Sequence, residues 1–168
     1  MLTIYTDGSC HPNPGGPGGW AAIVLDHSGA HYATLLGSEQ ATTNNRMELA
    51  AGLAALSYAY ETGHGEATIL TDSEYLRCSM DQWAWAWERK GWKKPTKNRD
   101  LLLPMHDLRK NLRVTWRWVR GHAGNRWNEL ADREAERARV QQVRNAFKLP
   151  SLPDPARPSG GYRQPELL

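Results

Sequence analysis

Cysteine is scarce in this 168-residue chain, with Cys10 and Cys78 as the two thiols. Two cysteines build neither a disulfide framework nor a four-cysteine zinc site, so the default compartment is a reducing one, most simply the cytoplasm. No apolar run approaches the ~18 residues that a membrane-spanning helix needs. The start, Met1-Leu-Thr-Ile-Tyr-Thr-Asp7, lacks the basic-then-apolar pattern of a signal peptide. No repeat period appears, which excludes solenoids and arrays. Phenylalanine is nearly absent, with one residue against eight Trp and six Tyr. Positive charge is missing from the first half: residues 1–88 hold two basic side chains, Arg46 and Arg77, against ten acidic ones.

Residues 89–168 reverse that balance, with nineteen basic and eight acidic side chains, so the overall +3 hides a net −8 and a net +11. This division predicts one surface for cations and another for polyanions. Hydrophobic content of 40% and charged content of 23% are ordinary for a globular protein. They point to one domain, placed at residues 1–147. From Leu149 onward the chain holds half of its ten prolines and no periodicity, so residues 148–168 are expected to be a disordered tail.

Leu2–Asp7 alternates and is β-prone, and a Gly- and Pro-rich loop follows it over residues 8–19. Trp20–Leu25 and His31–Leu36 complete an antiparallel meander. Thr42, Thr43 or Asn44 caps a helix that runs to about Tyr60, with Met47, Leu49, Leu53 and Leu56 at helical spacing. Ala67–Asp72 is a fourth strand. Helix resumes from Ser73 through Trp83, Trp85 and Trp87. It restarts at Asn98 or Asp100, with Pro104 in or near the first turn. Arg113–Val119 alternates as a fifth strand, and Asn125 or Asn128 opens a last helix to about Phe147. The order β-β-β-α-β-α-α-α-β-α predicts an α/β fold, a five-stranded mixed sheet with flanking helices. Strands one to three are antiparallel and strands four and five parallel.

Two strands end alike, in Thr6-Asp7-Gly8-Ser9 and Thr71-Asp72-Ser73-Glu74. Ligands in such sheets lie beyond the carboxyl ends of strands, although an Asp there also caps the next turn. Glu48 in the first helix and Asp132 in the last have equally plain alternatives, a helix-dipole partner and a solvated face. The Trp stripe from Trp83 to Trp87 reads as core at least as readily as a binding platform. Trp85, Trp116 and Trp118 are assigned to the core. His11, His27, His31, His64 and His106 are assigned surface or structural roles.

Together these residues carry a resemblance. Tyr5-Thr-Asp-Gly-Ser-Cys10, Thr43-Asn-Asn-Arg-Met-Glu-Leu49, Thr71-Asp-Ser-Glu-Tyr75, Val119-Arg-Gly-His-Ala-Gly124 and Asn128-Glu-Leu-Ala-Asp132 resemble, in order, the signature blocks of type 1 ribonuclease H, the bacterial form. The likeness spans about residues 1–146. It implies a monomeric, metal-dependent endonuclease that cuts the RNA strand of RNA/DNA hybrids, leaving 5′-phosphate and 3′-hydroxyl ends. It also implies Asp7, Glu48, Asp72 and Asp132 as metal ligands. Converging carboxylates repel by roughly 4 kcal/mol per pair at 4 Å and an effective dielectric of 20, so they need cations. All-oxygen ligation suits Mg²⁺, with Mn²⁺ as a substitute. A pair of such ions clamps an in-line displacement at phosphorus.

By the same resemblance His122 shuttles a proton, a task suited to an imidazole, with Glu129 beside it as a supporting partner. Asn13, Asn44 and Asn45 read the hybrid's minor groove, where RNA shows its 2′-hydroxyl, and Thr43 holds a DNA phosphate. Glu74, Trp83, Trp87 and the lysines Lys90, Lys93, Lys94 and Lys97 join the nucleic-acid contacts. Residues 89–99 hold six basic side chains and no acid, which resembles a shortened form of the family's basic protrusion. Ala41 and Ala86 depart from the polar or basic residue and the Asn usual at those places. Two rivals remain: a silent hybrid-binding module, and a DNA-cutting nuclease of the same fold superfamily. The intact carboxylate set opposes the first, and the Thr43–Glu48 block and the His122 loop oppose the second. Nothing in the tail identifies a protein partner.

Overall fold

The structure, a computed structural model, describes residues 1–95 and 97–144. The expected tail at 148–168 and the expected helix end at Phe147 lie outside those residues.

A mixed five-stranded sheet forms the centre, in the order β3-β2-β1-β4-β5. The strands are β1 (Leu2–Cys10), β2 (Gly18–Leu25), β3 (His31–Glu39), β4 (Glu66–Thr71) and β5 (Arg113–Trp118). β1 pairs antiparallel with β2 and parallel with β4, and β4 pairs parallel with β5. β1 is longer than its alternation predicts. Its parallel ladder with β4 ends at Thr6↔Thr71, while its antiparallel ladder with β2 continues to Cys10↔Gly18. Asp7 thus sits inside a strand, at the step where β4 has run out.

Among the described residues five α-helices flank the sheet: α1 (Asn44–Glu61), α2 (Glu74–Cys78), α3 (Ala84–Arg89), α4 (Arg99–Arg109) and α5 (Arg126–Gln141). Neighbouring strand residues point to opposite faces, which separates two packing surfaces. Ile4 and Val24 join Leu49, Leu53 and Leu56 of α1 in the main core. Tyr5, Ile23 and Leu25 pack on Ala131 and Leu130 of α5. Thr43 caps α1, its hydroxyl accepting from the Arg46 N–H at 3.2 Å. Asn125 caps α5, accepting from the Trp127 and Asn128 N–H groups. No helix among the described residues is long and apolar enough to cross a membrane.

Several details differ from expectation. The helix after β4 is not uniform, because a π-helical turn over Ser79–Trp83 separates α2 from α3. Asn98 stands at the N-cap of α4 as expected, but in a left-handed conformation and with no capping bond from its side chain. Its amide donates to Tyr75 instead and accepts from Arg46, which also grips Asp100 through two bonds of 2.9 and 2.8 Å. Pro104 lies past the first turn of α4, since the helix begins at Arg99. α5 stops at Gln141, where Gln142 turns left-handed with φ 47°. Trp116 is core as expected, but Trp85 and Trp118 are 43% and 45% exposed. Trp85 stays at the surface under the Arg109 guanidinium, 4.3 Å from its ring centroid. Trp118 sits at the end of edge strand β5, its indole N–H donating to the Asp72 carbonyl at 3.1 Å.

Candidate active site

Three carboxylates converge where β1, α1 and β4 meet. Oxygens of Asp7, Glu48 and Asp72 all lie within 4.8 Å of one another. Gly8 makes the approach of α1 to β1 feasible: a Cβ there would meet the Glu48 nitrogen at 2.4 Å. Thr43 starts α1 in a register that points Glu48 back at Asp7. Gly121 does a similar service on the other side, where a Cβ would stand 2.7 Å from Asp72 Oδ2.

Burial makes this cluster electrostatically expensive. Asp7 and Glu48 are 5% and 4% exposed. Burial, then the Asp72 charge, pushes the Asp7 carboxyl up to about 8. Burial raises Glu48 well above the ordinary carboxylate range, with the Asp7 and Asp72 charges adding to it. Asp72 is raised by burial and the Asp132 charge, while Asn128 and His122 favour its charged form. The Asp7 Oδ1 accepts from the Gly8 N–H at 2.9 Å. Glu48 Oε2 is buried with no hydrogen-bond partner. An unsatisfied buried carboxylate oxygen in a cluster of acids fits a hard divalent cation.

The remaining predicted residues divide into groups. Asp132, half-buried on α5, stands outside the 4.8 Å group and acts on it through charge, raising both Asp7 and Asp72. His122 is exposed on the loop before α5, with φ 53°. Glu129 lies in the first turn of α5, and no hydrogen bond joins it to His122 among the described residues. Asn13 is exposed, and its Oδ1 accepts from the Asn44 N–H at 3.1 Å, so it braces the start of α1 beside Asn45. Glu74 pairs with Arg77 at 2.8 Å. Trp83 is 40% exposed, whereas Trp87 is partly buried against the core. Lys90, Lys93, Lys94 and Lys97 are exposed. None of the four forms an ion pair among the described residues.

Two supports of Asp72 escape the sequence pattern. Asn128, 2% exposed, faces Asp72 and favours its ionised form, although its Nδ2 has no partner at hydrogen-bond distance. The Trp118 indole holds the Asp72 backbone. Asn128 opens the Asn128–Asp132 block, but nothing in the block marks its role at Asp72, and nothing local marks Trp118.

The RNase H family model matches residues 1–140. The chain belongs to the RNase H family. A ribonuclease H of Chromohalobacter salexigens is 45% identical over 141 residues, covering 82% of this chain and 83% of the relative. LC9-RNase H1, a type 1 RNase H with the type 2 active-site motif, superposes with a TM-score of 0.71 at 34% identity, over 84% of this chain and 73% of that one. LC11-RNase H1, solved in complex with an RNA/DNA hybrid, has the same fold, with a TM-score of 0.62 at 21% identity over 82% of this chain and 99% of its own. This is a type 1 ribonuclease H. In this RNase H, Asp7 and Asp72 lie just past the end of the parallel ladder between β1 and β4, and Glu48 reaches them from the first turns of α1.

Proposed function

We propose that this ribonuclease H hydrolyses the RNA strand of RNA/DNA hybrids at the Asp7–Glu48–Asp72 cluster, with Asp132 completing the site. The observation that carries the reading is the carboxylate trio, Asp7 and Glu48 buried and Asp72 half-buried, with a Glu48 oxygen that has no hydrogen-bond partner among the described residues. When bound there, Mg²⁺, as two ions with Mn²⁺ as a substitute, supplies an activated water and charge stabilisation for the departing 3′ oxygen. The chain's own groups do the rest. Asp7 sits centrally, held by the Gly8 N–H, and offers oxygens toward both neighbouring carboxylates. Glu48 reaches in from the helix whose first residues, Asn44 and Asn45, are the proposed minor-groove readers. Asn13 accepts from the Asn44 N–H and so braces the helix that carries both Glu48 and the proposed readers. His122, exposed on its loop, shuttles a proton so that the departing 3′ oxygen leaves as the 3′-hydroxyl, the proton lost by the attacking water balancing the one it gains. The free thiols Cys10 and Cys78 accord with a cytoplasmic enzyme, and we take it to act as a monomer.

Labelled RNA/DNA, RNA/RNA and DNA/DNA duplexes test the specificity. Cleavage confined to the RNA of the hybrid is expected. Cleavage of DNA/DNA would point to the DNA-cutting relatives, and binding without cleavage to a silent module. Because the activated water comes from the cations held by the carboxylates, His122→Ala should lower kcat about 100-fold without abolishing it. An unchanged kcat would remove His122 from the proton path.

The Thr43 hydroxyl accepts the α1 cap bond and keeps its O–H to donate to a DNA phosphate, whereas Ala86, half-buried on α3, offers no second donor. Ala86→Asn should therefore lower KM for hybrid at moderate salt by about two- to tenfold, the worth of one net hydrogen bond. A KM that stays level or rises would contradict this.

A further inference from the structure

Aromatic rings run in contact from the exposed Trp83 into the protein. Centroids are 6.0 Å apart for Trp83–Trp87, 5.9 Å for Trp87–Trp92 and 5.7 Å for Trp92–His106, and His106 in turn meets Trp85 edge-on at 4.7 Å. The inner end of this chain of rings, His106, is completely buried on α4. Its hydrogen bonds settle its protonation. A guanidinium has only donors, so the 2.8 Å contact between Arg109 Nη2 and His106 Nδ1 requires Nδ1 to accept. The ring proton is then on Nε2, where it donates to Glu88 Oε2 at 3.0 Å. Lys110 takes the other Glu88 oxygen. Burial, the largest influence on His106, also disfavours its charged form.

The clamp has a direction. Glu88 belongs to the last turn of α3, immediately before the basic segment that begins at Arg89. Three residues past that helix, Trp92 adopts φ 56°, a conformation that bulky side chains rarely take. Its ring is wedged between Trp87 and His106, so the path of the chain into Lys93 and Lys94 depends on that contact. Arg99 donates to the Lys93 and Pro95 carbonyls and ties the far side of the segment to α4.

We propose that His106, as a neutral Nε2-protonated ring, is a positioning residue for hybrid binding. It locks α3 and the segment after it onto α4, so that Trp83, Trp87 and the lysines present one fixed surface to the nucleic acid. This inference rests on the reading of residues 83–97 as a nucleic-acid contact surface. His106 itself touches neither the substrate nor the carboxylate cluster.

Steady-state cleavage of hybrid across a salt series tests it with three variants. His106→Leu should raise KM about five- to tenfold and flatten its salt dependence, as expected when one or two phosphate contacts are lost, with kcat within about twofold. In His106→Gln, the amide oxygen accepts from Arg109 and the amide nitrogen donates to Glu88, so KM should return close to the parent value. Glu88→Ala removes the acceptor from the outer end without opening the core, and should repeat the KM-only effect even if the Leu variant fails to fold. An unchanged KM in Glu88→Ala, or a loss confined to kcat, overturns the proposal. A Lys93→Ala/Lys94→Ala double variant separates the two readings. If it leaves KM and the salt slope unchanged, the contact surface itself is wrong. If it raises KM while Glu88→Ala does not, the role of His106 alone is wrong.

Discussion

Asp7→Asn should lower RNA cleavage by more than about a thousandfold, because it removes the carboxylate at the centre of a site whose chemistry depends on bound cations. The same substitution should make the metal-free protein more stable. Asp7 is buried beside Glu48 and Asp72, and its carboxyl is pushed up to about 8, so ionising it in the folded state is costly. A neutral amide of the same shape avoids that cost. A gain of about 1–3 kcal/mol is expected at pH 8, which for a domain of this size is about 2–4 °C in Tm per kcal/mol. Differential scanning calorimetry in EDTA checks the stability and a fixed-time cleavage assay the activity. Hybrid affinity, carried by surfaces elsewhere, should change little. An Asp7→Asn protein that is both inactive and less stable would mean that the cluster holds the fold together and that the acids are not strained against one another.

The second large effect follows from the same groups through pH. Asp7 binds its proton more tightly folded than unfolded, because its folded value of about 8 lies above the ordinary aspartate value of 3.8. An acid shifted upward contributes stability that is complete below the unfolded value. That contribution is lost progressively as pH rises, and is gone above the folded value. Glu48 and Asp72 are raised as well and act in the same sense. His106, lowered by burial, and Glu88, lowered first by its bond to His106, act in the opposite sense. The comparison that isolates the cluster is therefore the parent protein against Asp7→Asn. In EDTA the parent should lose Tm relative to the variant as pH rises from 6 to 8. Mg²⁺ should raise the Tm of the parent more at pH 8 than at pH 6, because at pH 6 the cation must displace protons. A parent and variant that run parallel across this range would refute the raised carboxyls.

Much of the site was legible because its parts are local signals. Thr43 before Asn44-Asn-Arg-Met-Glu48 announces a cap and a helix start, and the cap forms at Thr43. The repeated Thr-Asp pair marks two strands that become neighbours, and Asp7 and Asp72 meet there. What escaped depends on partners distant in sequence. Exposed Trp85 reads as core by spacing, until Arg109 from α4 stacks over it. The length of β1 beyond Asp7 is set by β2, whose glycines Gly18 and Gly19 looked like loop. Asn98 is the N-cap position its sequence suggests, but its side-chain amide donates to Tyr75 and its Oδ1 accepts from Arg46, so the side chain does no capping. Asp132 has a helical neighbourhood like any solvated acid, and its influence on Asp7 arises from how α5 packs across β1 and β2.

The charge division in the sequence becomes spatial in the fold. The acidic half supplies Asp7, Glu48 and Asp72, which converge in a buried cluster. The basic excess is presented by exposed lysines on the segment after α3. Divalent and monovalent cations should thus act in opposite directions, the first supporting catalysis and the second weakening hybrid binding.

The most direct measurement follows cleavage of a 5′-labelled RNA strand in an RNA/DNA hybrid while Mg²⁺ is titrated into protein first stripped with EDTA. The account predicts no product in EDTA, recovery with Mg²⁺ to fragments ending in 3′-hydroxyl, and no recovery at any Mg²⁺ concentration for Asp7→Asn. RNA cleavage that persists in EDTA, or an Asp7→Asn protein that Mg²⁺ restores, would contradict it.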